Sequence, residues 1–193
     1  VHMVQGDTLE GFGDKLFYNG NTKVARLRSN VKLIHQNTVL TTDSLNYNRQ
    51  KGLAYYFSGG MIEDSLNTLT SNWGQYMPDN HQAIFRGQVK LVNPKFVLTA
   101  DTLCYNTNTY QSDLVGPTKI LYEAETTILS TNGWYNTKTE LSQLLDRSRI
   151  IHSDGKTLTG DTIYYDKAIG FGQVFGHMQS TDSTNQMTLY GNK

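Results

Sequence analysis

The strongest constraint on this chain is a repeat marked by regularly spaced tyrosines. Six tyrosines follow one another at intervals of 29, 29, 29, 30 and 30 residues: Tyr18, Tyr47, Tyr76, Tyr105, Tyr135 and Tyr165. A period in this range is typical of architectures in which one supersecondary unit stacks on copies of itself. The sequence therefore predicts about six equivalent units of ~29 residues.

Each unit contains two segments with the character of β-strands. The first has Leu, a small residue, Asp or Asn, an apolar residue and Tyr followed by Asn or Asp, most completely at residues 40–48, 98–106 and 158–166. The second is centred about eleven residues after the tyrosine and alternates with period two, as at residues 83–91. Alternation of this kind is typical of a strand with one buried face. Each unit is thus predicted to be two strands joined by a hairpin turn.

The first strand of each unit is predicted to bend at its Asp or Asn. The apolar positions before and after this residue are out of phase, and one extra residue at a bulge would turn them all to the same face. The carboxylate or amide can then bond the backbone N–H groups that the bulge frees. The predicted structural corners are Asp14, Asp43, Asn72, Asp101, Asn132 and Asp161. In the second strands Gly87, Gly116 and Gly176 share one phase, which indicates a recurring bulge or close backbone approach.

These units predict an all-β fold in which a long antiparallel sheet is folded along its corners. About a dozen strands at 4.8 Å spacing give an elongated groove on the order of 60 Å with an apolar interior and open strand edges at both ends. We expect a single domain over residues 1–193, with residues 1–3 as a cloning remnant and the repeat array continuing beyond residue 193 in the parent protein. Residues 139–149 show leucines at helical spacing but occupy a second-strand slot, so strand is favoured and helix is the alternative.

Composition narrows the classes of function. Lys plus Arg and Asp plus Glu both total 17, so no global field attracts nucleic acid, and no nucleic-acid partner is expected. No apolar run approaches the ~20 residues of a membrane span, and no signal-peptide pattern is present, which suits a cytosolic protein or a mature exported segment. The single Cys104 excludes an internal disulfide and is expected to be a small buried residue.

No catalytic or metal constellation is found. The five histidines lack metal-ligand spacing, and His152 with Asp154 falls in an Asp-Gly turn. Each unit offers one carboxylate, whereas calcium needs six to eight oxygens. A carbohydrate-acting β-solenoid enzyme would need clustered carboxylates, which are missing from the pattern. We therefore expect no enzymatic activity, no cofactor and no metal.

The repeated small-Asp-x-apolar-x-Tyr strand followed by a Gly-x-Val-x-Leu strand resembles the OstA-like (organic solvent tolerance) family, related to LptA-type periplasmic lipopolysaccharide-transport proteins. The resemblance implies a β-jelly-roll, or taco-like folded sheet, whose interior shelters lipid A acyl chains. It further implies a place in the periplasm or cell envelope of a Gram-negative bacterium and a role in outer-membrane biogenesis. The implied partners are lipopolysaccharide or a related lipid, and other lipopolysaccharide-transport proteins or a second copy joined through edge strands.

The apolar positions of the repeat supply the residues expected to line this interior by nonpolar contact. They are Leu27, Val31, Leu33, Leu40, Leu45, Tyr47, Phe57, Leu69, Tyr76, Phe85, Val89, Leu98, Leu103, Tyr105, Ile120, Leu129, Leu158, Ile163, Tyr165 and Val174. A trough of this kind is what an acyl chain requires, because each sheltered CH₂ is worth ~0.8 kcal/mol. The same residues could instead pack on one another, which would make the chain a structural or adhesive β-repeat scaffold with a self-filled core and no lipid cargo.

Overall fold

A computed structural model of the chain describes residues 1–5, 9–77 and 80–192. The described chain is all β, and every strand pairing in it is antiparallel, which confirms the predicted fold class. No helix long and apolar enough to cross a membrane occurs in these three ranges. The strands are β1 (His2–Gln5), β2 (Leu9–Phe12), β3 (Lys15–Asn19), β4 (Val24–His35), β5 (Thr38–Asn48), β6 (Leu53–Tyr56), β7 (Gly60–Glu63), β8 (Thr68–Ser71), β9 (Trp73–Met77), β10 (Gln82–Asn93), β11 (Phe96–Asn106), β12 (Gln111–Tyr122), β13 (Thr126–Asn136), β14 (Leu141–Leu145), β15 (Ser148–His152), β16 (Lys156–Gly160), β17 (Thr162–Asp166), β18 (Phe171–Phe175), β19 (Met178–Asp182) and β20 (Met187–Gly191).

The chain forms two compact units, Val1–Pro94 (unit 1) and Lys95–Lys193 (unit 2). In unit 1 the strands build two walls. Wall A contains β1, β2, the second half of β4, the first half of β5, β7, β8 and the second half of β10. Wall B contains β3, the first half of β4, the second half of β5, β6, β9 and the first half of β10.

Unit 2 repeats this plan. Its wall A contains the first half of β11, the second half of β12, the first half of β13, β15, β16, β19 and β20. Its wall B contains the second half of β11, the first half of β12, the second half of β13, β14, β17 and β18. Long strands such as β4, β5, β12 and β13 run through both walls, so each wall is continuous with the other through the backbone.

A corner separates the two walls, either within a long strand or between two consecutive short strands. In β4 the register against β5 jumps between Arg28 and Val31. The two intervening residues, Ser29 and Asn30, have positive φ angles of 61° and 51°. Comparable pairs turn other second strands, with φ of 72° and 51° at Gly87 and Gln88, 56° and 59° at Asp146 and Arg147, and 68° and 42° at Gly176 and His177. Residues other than glycine rarely adopt positive φ angles. The glycines that recur at this position of the second strands therefore reflect a requirement of the backbone.

The corner residues predicted in the first strands lie at this boundary in five units. Asp14, Asn72 and Asp161 fall between consecutive strands, and their backbone N–H groups donate to the carbonyls of Ser29, Gly87 and Gly176 at 2.9–3.0 Å. Asp43 and Asp101 lie in continuous strands where the register shifts.

Asn132 departs from the corner pattern. It pairs with Val115, whereas Thr131 occupies the register shift between the walls. The reason is that Asn132 precedes its tyrosine by three residues, while the other corners precede theirs by four. Thr131 keeps the spacing of four and therefore takes the corner position.

The asparagine after the repeat tyrosine closes the hairpin turn. The Oδ1 of Asn48 accepts hydrogen bonds from the backbone N–H groups of Gln50 and Lys51, both at 3.0 Å. The same pair of bonds forms at Asn19, Asn106 and Asn136. An Asx turn of this kind replaces part of the backbone bonding that the turn gives up. The Tyr-Asn pair thus places one side chain on the sheet and uses the next to end the strand.

The strand assignments place three further groups of residues that the sequence analysis singled out. Residues 141–145 form β14, so the strand assignment for residues 139–149 is confirmed over the helical alternative. Residues 2 and 3, which the sequence analysis assigned to a cloning remnant, belong to β1 and pair with β2, and this pairing does not bear on their origin. Cys104 is half-buried in β11.

Candidate functional site: the interior between the walls

In unit 1 each wall presents a continuous row of apolar side chains to the same interior. Strand register places these residues side by side across the sheet. The row of wall A is Met3, Gly11, Leu33, Leu40, Ile62, Leu69 and Leu91. The row of wall B is Leu16, Leu27, Leu45, Tyr56, Gly74 and Phe85. Each row takes one residue from each strand, and along a strand the inward positions recur at every second residue, as the alternation of a half-buried sheet requires.

The two rows meet near the corner. Leu27 and Leu45 of wall B have 0% and 1% of their surface exposed, and Val31 of wall A has 2%. These residues form one cluster, on which Leu16 and Leu33 pack from opposite walls. The part of the interior nearest the corner is therefore filled by the protein's own side chains.

Tyr56 is the largest of the fully buried side chains and links the walls of unit 1. Its hydroxyl group lies 2.5 Å from Ser71 Oγ in wall A. Its ring lies over Gly60 and Gly74, where an added Cβ would overlap the ring atoms. Burial raises the pKa of Tyr56 above its ordinary value, because the phenolate form would lose its hydration. The two glycines thus create the space that this ring occupies.

The phased tyrosines form a second inner row, one step further from the corner. In unit 1 the row alternates tyrosine with alanine: Tyr18, Ala25, Tyr47, Ala54, Tyr76 and Ala83. In unit 2 the corresponding row is Tyr105, Ser112, Tyr135, Ser142, Tyr165 and Gly172. A small residue therefore stands beside each tyrosine across the sheet, and Tyr47 is buried. This row borders the side of the interior that lies away from the corner, which we call the rim.

Unit 2 has equivalent inner rows. In wall B they are Leu103, Leu114, Gly133, Leu144, Ile163 and Val174. In wall A they are Leu98, Ile120, Ile128, Ile150, Leu158, Ser180 and Leu189. Leu103, Leu114 and Ile163 are 1–3% exposed. Exposure rises toward the last strand, where Leu189 in β20 is 52% exposed. The inner row therefore stays partly open to solvent at this end of unit 2.

Polar and aromatic contacts cross the rim from one wall to the other. In unit 1 the rings of His35 in wall A and Tyr76 in wall B have centroids 6.4 Å apart. In unit 2 Lys167 follows wall B and forms a salt bridge of 3.1 Å with Glu140. Its Nζ also lies 5.2 Å from the ring centroid of Tyr122 in wall A. A hydrogen bond to Tyr122 and the bond to Glu140 raise the pKa of Lys167, so it stays charged.

The structure places seventeen of the twenty expected lining residues in the buried or half-buried class. The buried ones are Leu27, Val31, Leu45, Tyr47, Leu69, Phe85, Val89, Leu98, Leu103 and Ile163. The half-buried ones are Leu33, Leu40, Tyr76, Tyr105, Ile120, Leu158 and Val174. The exposed ones are Phe57 at 52%, Leu129 at 39% and Tyr165 at 43%. These positions describe burial, and lipid contact by any of them stays a prediction.

Two of the exposed residues lie on the outer faces of the walls. Phe57 follows Tyr56, which occupies the inner position that Leu27 and Phe85 hold in neighbouring second strands, so the phase assigned to this strand was wrong by one residue. Leu129 pairs with Lys119 and Arg149 on the outside of wall A.

The spacing of the repeat explains why Leu129 lies on the outer face. Tyr165, the third exposed residue, has a different reason for its exposure. Ile128 precedes Tyr135 by seven residues, the spacing that the complete copies show between Leu and Tyr, and it takes the inner position. Tyr165 does lie on the inner face, but at the solvent-exposed rim of unit 2.

Sequence reasoning missed several inner residues. Tyr56, Leu114, Leu144 and the alanines of the tyrosine row are buried but were not among the expected lining residues. A spacing rule could have found Tyr56. Leu27 lies four residues before Val31, the first wall A residue of its strand, and Tyr56 lies four residues before Gly60, where wall A begins in its unit. The alanines carry little signal alone, because a small residue is compatible with either face of a strand.

Some titratable groups outside the interior form surface pairs. His152 Nδ1 lies 2.9 Å from Asp154 Oδ1, and Lys156 Nζ lies 2.6 Å from Asp154 Oδ2. Hydrogen bonds from Lys156 hold the pKa of Asp154 well below its ordinary value. In the described ranges no group of three or more His, Cys, Asp or Glu side chains is arranged to hold a metal ion. These contacts stabilise the turn in which His152 and Asp154 lie.

Comparison with known proteins identifies a family for this chain. Residues 1–101 match the family described as OstA-like protein. The chain therefore belongs to the OstA-like family. Among solved structures, a similar one is LptH from Pseudomonas aeruginosa, described as the LptA homologous periplasmic component of the conserved lipopolysaccharide transport device. The TM-score is 0.47 and the identity 14%, over 51% of this chain and 76% of that chain. No curated protein matches the chain.

Proposed function

We propose that this chain is a non-enzymatic module of outer-membrane biogenesis that binds the acyl chains of lipopolysaccharide, or of a related lipid, between its walls in the periplasm. The observation that carries the proposal is the pair of inner rows in each unit. In unit 1, six neighbouring strands at ~4.8 Å spacing give an apolar path of about 24 Å along each wall. In unit 2 the wall A row is apolar from Leu98 to Leu158 and is then interrupted by Ser180. Membership of the OstA-like family supports the same function.

The energetics favour an apolar cargo. A fourteen-carbon chain moved out of water gains roughly 10 kcal/mol at ~0.8 kcal/mol per CH₂, so no specific hydrogen bonds are needed to hold it. Half-buried inner residues toward the rim, such as Tyr76, are the part of the interior that the proposal assigns to the lipid, because Leu27, Val31 and Leu45 beside the corner are already closely packed. Binding would spread the walls at the rim, where His35 and Tyr76 face each other.

Association through strand edges is part of the proposal. Within the described ranges β1 and β3 each pair with one neighbour in unit 1, and β18 and β20 each pair with one neighbour in unit 2. An edge strand presents unpaired N–H and C=O groups that another chain can extend. The expected partners are other lipopolysaccharide-transport proteins or a second copy of this chain.

The alternative function is a structural or adhesive scaffold with a self-filled core. The near-complete burial of Leu27, Val31 and Leu45 favours it, because side chains packed this closely leave no room beside the corner. The two functions differ in whether lipid reaches the inner row nearer the rim.

A photo-crosslinking experiment tests the proposal. Benzoylphenylalanine replaces Tyr76 or Tyr105, which lie on inner faces, or Tyr164, which lies on the outer face of the same wall as Tyr105. With purified rough lipopolysaccharide, capture is expected at the two inner positions and not at Tyr164. A folded protein, checked by circular dichroism, that shows no capture at the inner positions would support the scaffold instead. Equal capture at all three positions would indicate nonspecific adsorption and would also count against the proposal.

A further inference from the structure

The outer face of wall B in unit 1 carries cations without any acid in the same strands. Its cations are Lys15, Arg26, Arg28 and Arg86. The six strand segments of this wall, residues 15–19, 24–28, 44–48, 53–56, 73–77 and 82–86, contain no Asp or Glu. In a chain of zero net charge, this is a local concentration of positive charge.

These cations are not neutralised by neighbouring carboxylates. Across the described parts of the chain, none of the four takes part in a salt bridge. The acids bordering the face, Asp14 and Asp43, lie at the corner and accept hydrogen bonds from the side chain and backbone of Asn30, at 2.8 and 3.4 Å. Both carboxylates keep their charge, but in the described ranges neither forms an ion pair with a cation of the face, so these cations remain available to an external anion.

Aromatic rings lie between the cations. Phe17 and Phe57 are 59% and 52% exposed, which is unusual for large apolar side chains on a finished sheet face. The guanidinium of Arg28 lies 5.4 Å from the ring centroid of Phe57, and that of Arg86 lies 5.4 Å from the ring centroid of Trp73. The face thus presents flat rings and planar cations next to one another.

Arg28 differs from the other cations because it is part of the fold. Its guanidinium donates to the carbonyls of Leu27 and Leu45 at 2.7 and 3.1 Å and to Asn46 Oδ1 at 2.8 Å. Arg26 and Arg86 are exposed and make no such set of bonds in the described structure. They are the cations that can turn toward a ligand.

The matching face of unit 2 has the opposite character. Its wall B strand segments, residues 102–106, 111–115, 132–136, 141–145, 162–166 and 171–175, contain no Lys or Arg, and they contain Asp113 and Asp166. The cationic face is therefore not a general consequence of this architecture. It is a property of unit 1.

The size and chemistry of the face select its occupant. Six strands of about five residues cover roughly 25 by 17 Å, or on the order of 400 Å². A stable protein interface needs ~800 Å² on each side, which is about twice this area. The arginine fork matches the oxygens of a phosphate group, and an exposed ring packs against the apolar face of a sugar. We infer that the outer face of wall B in unit 1 binds a phosphorylated saccharide.

This site is separate from the interior, because it lies on the other surface of wall B. It therefore does not depend on the proposed lipid function. Inward residues such as Leu27 and outward residues such as Arg26 alternate along one strand, so each function can be altered alone.

The test uses maltotriose carrying one terminal phosphate as the probe, with maltotriose and inorganic phosphate as its separate halves. Binding is measured by calorimetry and by ¹H–¹⁵N chemical-shift mapping. Arg26→Gln and Arg86→Gln are each expected to weaken binding about tenfold, since each removes a charge-assisted hydrogen bond. Lys32→Gln, an exposed cation on the outer face of wall A, is the matched control and should have little effect.

Further variants separate the two parts of the recognition. Arg26→Lys keeps the charge but loses the fork, so its affinity should lie between those of wild type and Arg26→Gln. Phe17→Ser should weaken binding of maltotriose phosphate without changing the weak binding of inorganic phosphate. Binding should also fall as salt is added, because exposed charges are screened.

Several outcomes would overturn the inference. One is an equal loss of affinity in Lys32→Gln and Arg26→Gln. Another is a set of chemical-shift changes that map away from β3, β4 and β10. A third is inorganic phosphate binding as tightly as the phosphorylated sugar. A short oligothymidylate that displaces the sugar and binds more tightly would assign the face to single-stranded nucleic acid and would equally overturn it.

Discussion

The packing of Tyr56 against Gly74 yields a prediction that can be worked through from the structure. Gly74→Ala adds a Cβ that would overlap the Tyr56 ring, and the buried ring cannot swing into solvent. Overpacking of this kind costs about 1–3 kcal/mol. In a chain of this size, 2 kcal/mol corresponds to a decrease of roughly 4–8 °C in the midpoint of thermal unfolding.

Changing Tyr56 as well tests whether its ring is the reason that Gly74→Ala is destabilising. Tyr56→Leu gives this position the residue type found at the equivalent Leu27. It should lower the free energy of unfolding by about 2–4 kcal/mol, because the hydrogen bond to Ser71 and the ring volume are lost. With the ring gone, Gly74→Ala should be neutral or gain the ~0.5–1 kcal/mol that alanine has over glycine in a strand. The two changes should therefore be non-additive by about 2–3 kcal/mol.

The assay is urea unfolding in a double-mutant cycle. Trp73 lies beside Gly74 in unit 1, and Trp134 lies in unit 2, so a Trp134→Phe background makes the fluorescence report on unit 1. Gly20→Ala is the control, because a Cβ at Gly20 has no neighbour within 4 Å, and its effect should be within about 0.5 kcal/mol. If Gly74→Ala costs the same in the Tyr56→Leu background as it does with the tyrosine present, the claim that the glycine exists to seat this ring is refuted.

Three other predictions address the core, the turns and pH. Leu27→Ala, at a fully buried position, should lose about 2–5 kcal/mol in urea unfolding, whereas Leu66→Ala, 63% exposed, should be nearly neutral. Asn48→Ala should lower the free energy of unfolding by about 1 kcal/mol, since two turn N–H groups lose their acceptor, and Asn48→Asp should retain most of the stability. Because burial raises the pKa of Tyr56 from 10.0, the stability it contributes is complete below pH 10 and lost as pH rises through the folded pKa. Urea midpoints between pH 8 and 11 should therefore fall less steeply in Tyr56→Phe than in wild type, and parallel declines would contradict this.

Much of the fold could be predicted because the same local sequence signals recur in each copy of the repeat. Each Tyr-Asn pair marks the end of a first strand, and the shared phase of Gly87, Gly116 and Gly176 marks the corner in second strands. A requirement imposed by backbone geometry, such as a positive φ angle, restricts the residue type at one position and so remains visible in sequence. The antiparallel two-strand units followed from these local signals.

The candidate site was predictable where the repeat was regular. Leu103 and Ile163 lie on the inner face because they keep the spacing of the complete copies. Leu129 and Asn132 were assigned by residue type in a copy that had lost one position, and a shift of one residue moves a side chain to the other face of the sheet. Residue type alone cannot reveal such a shift, since leucine is tolerated on both faces.

By itself, the sequence determined that the chain is an array of strand pairs with tyrosine, asparagine and corner residues at fixed steps, because each of these depends on local backbone geometry. Only the tertiary structure decided that Tyr56 crosses between the walls over two glycines, and that unit 1 carries uncompensated arginines on its outer face. Both features join residues from different strands. Their positions depend on strand register and on the folding of one wall over the other, which no single stretch of sequence contains.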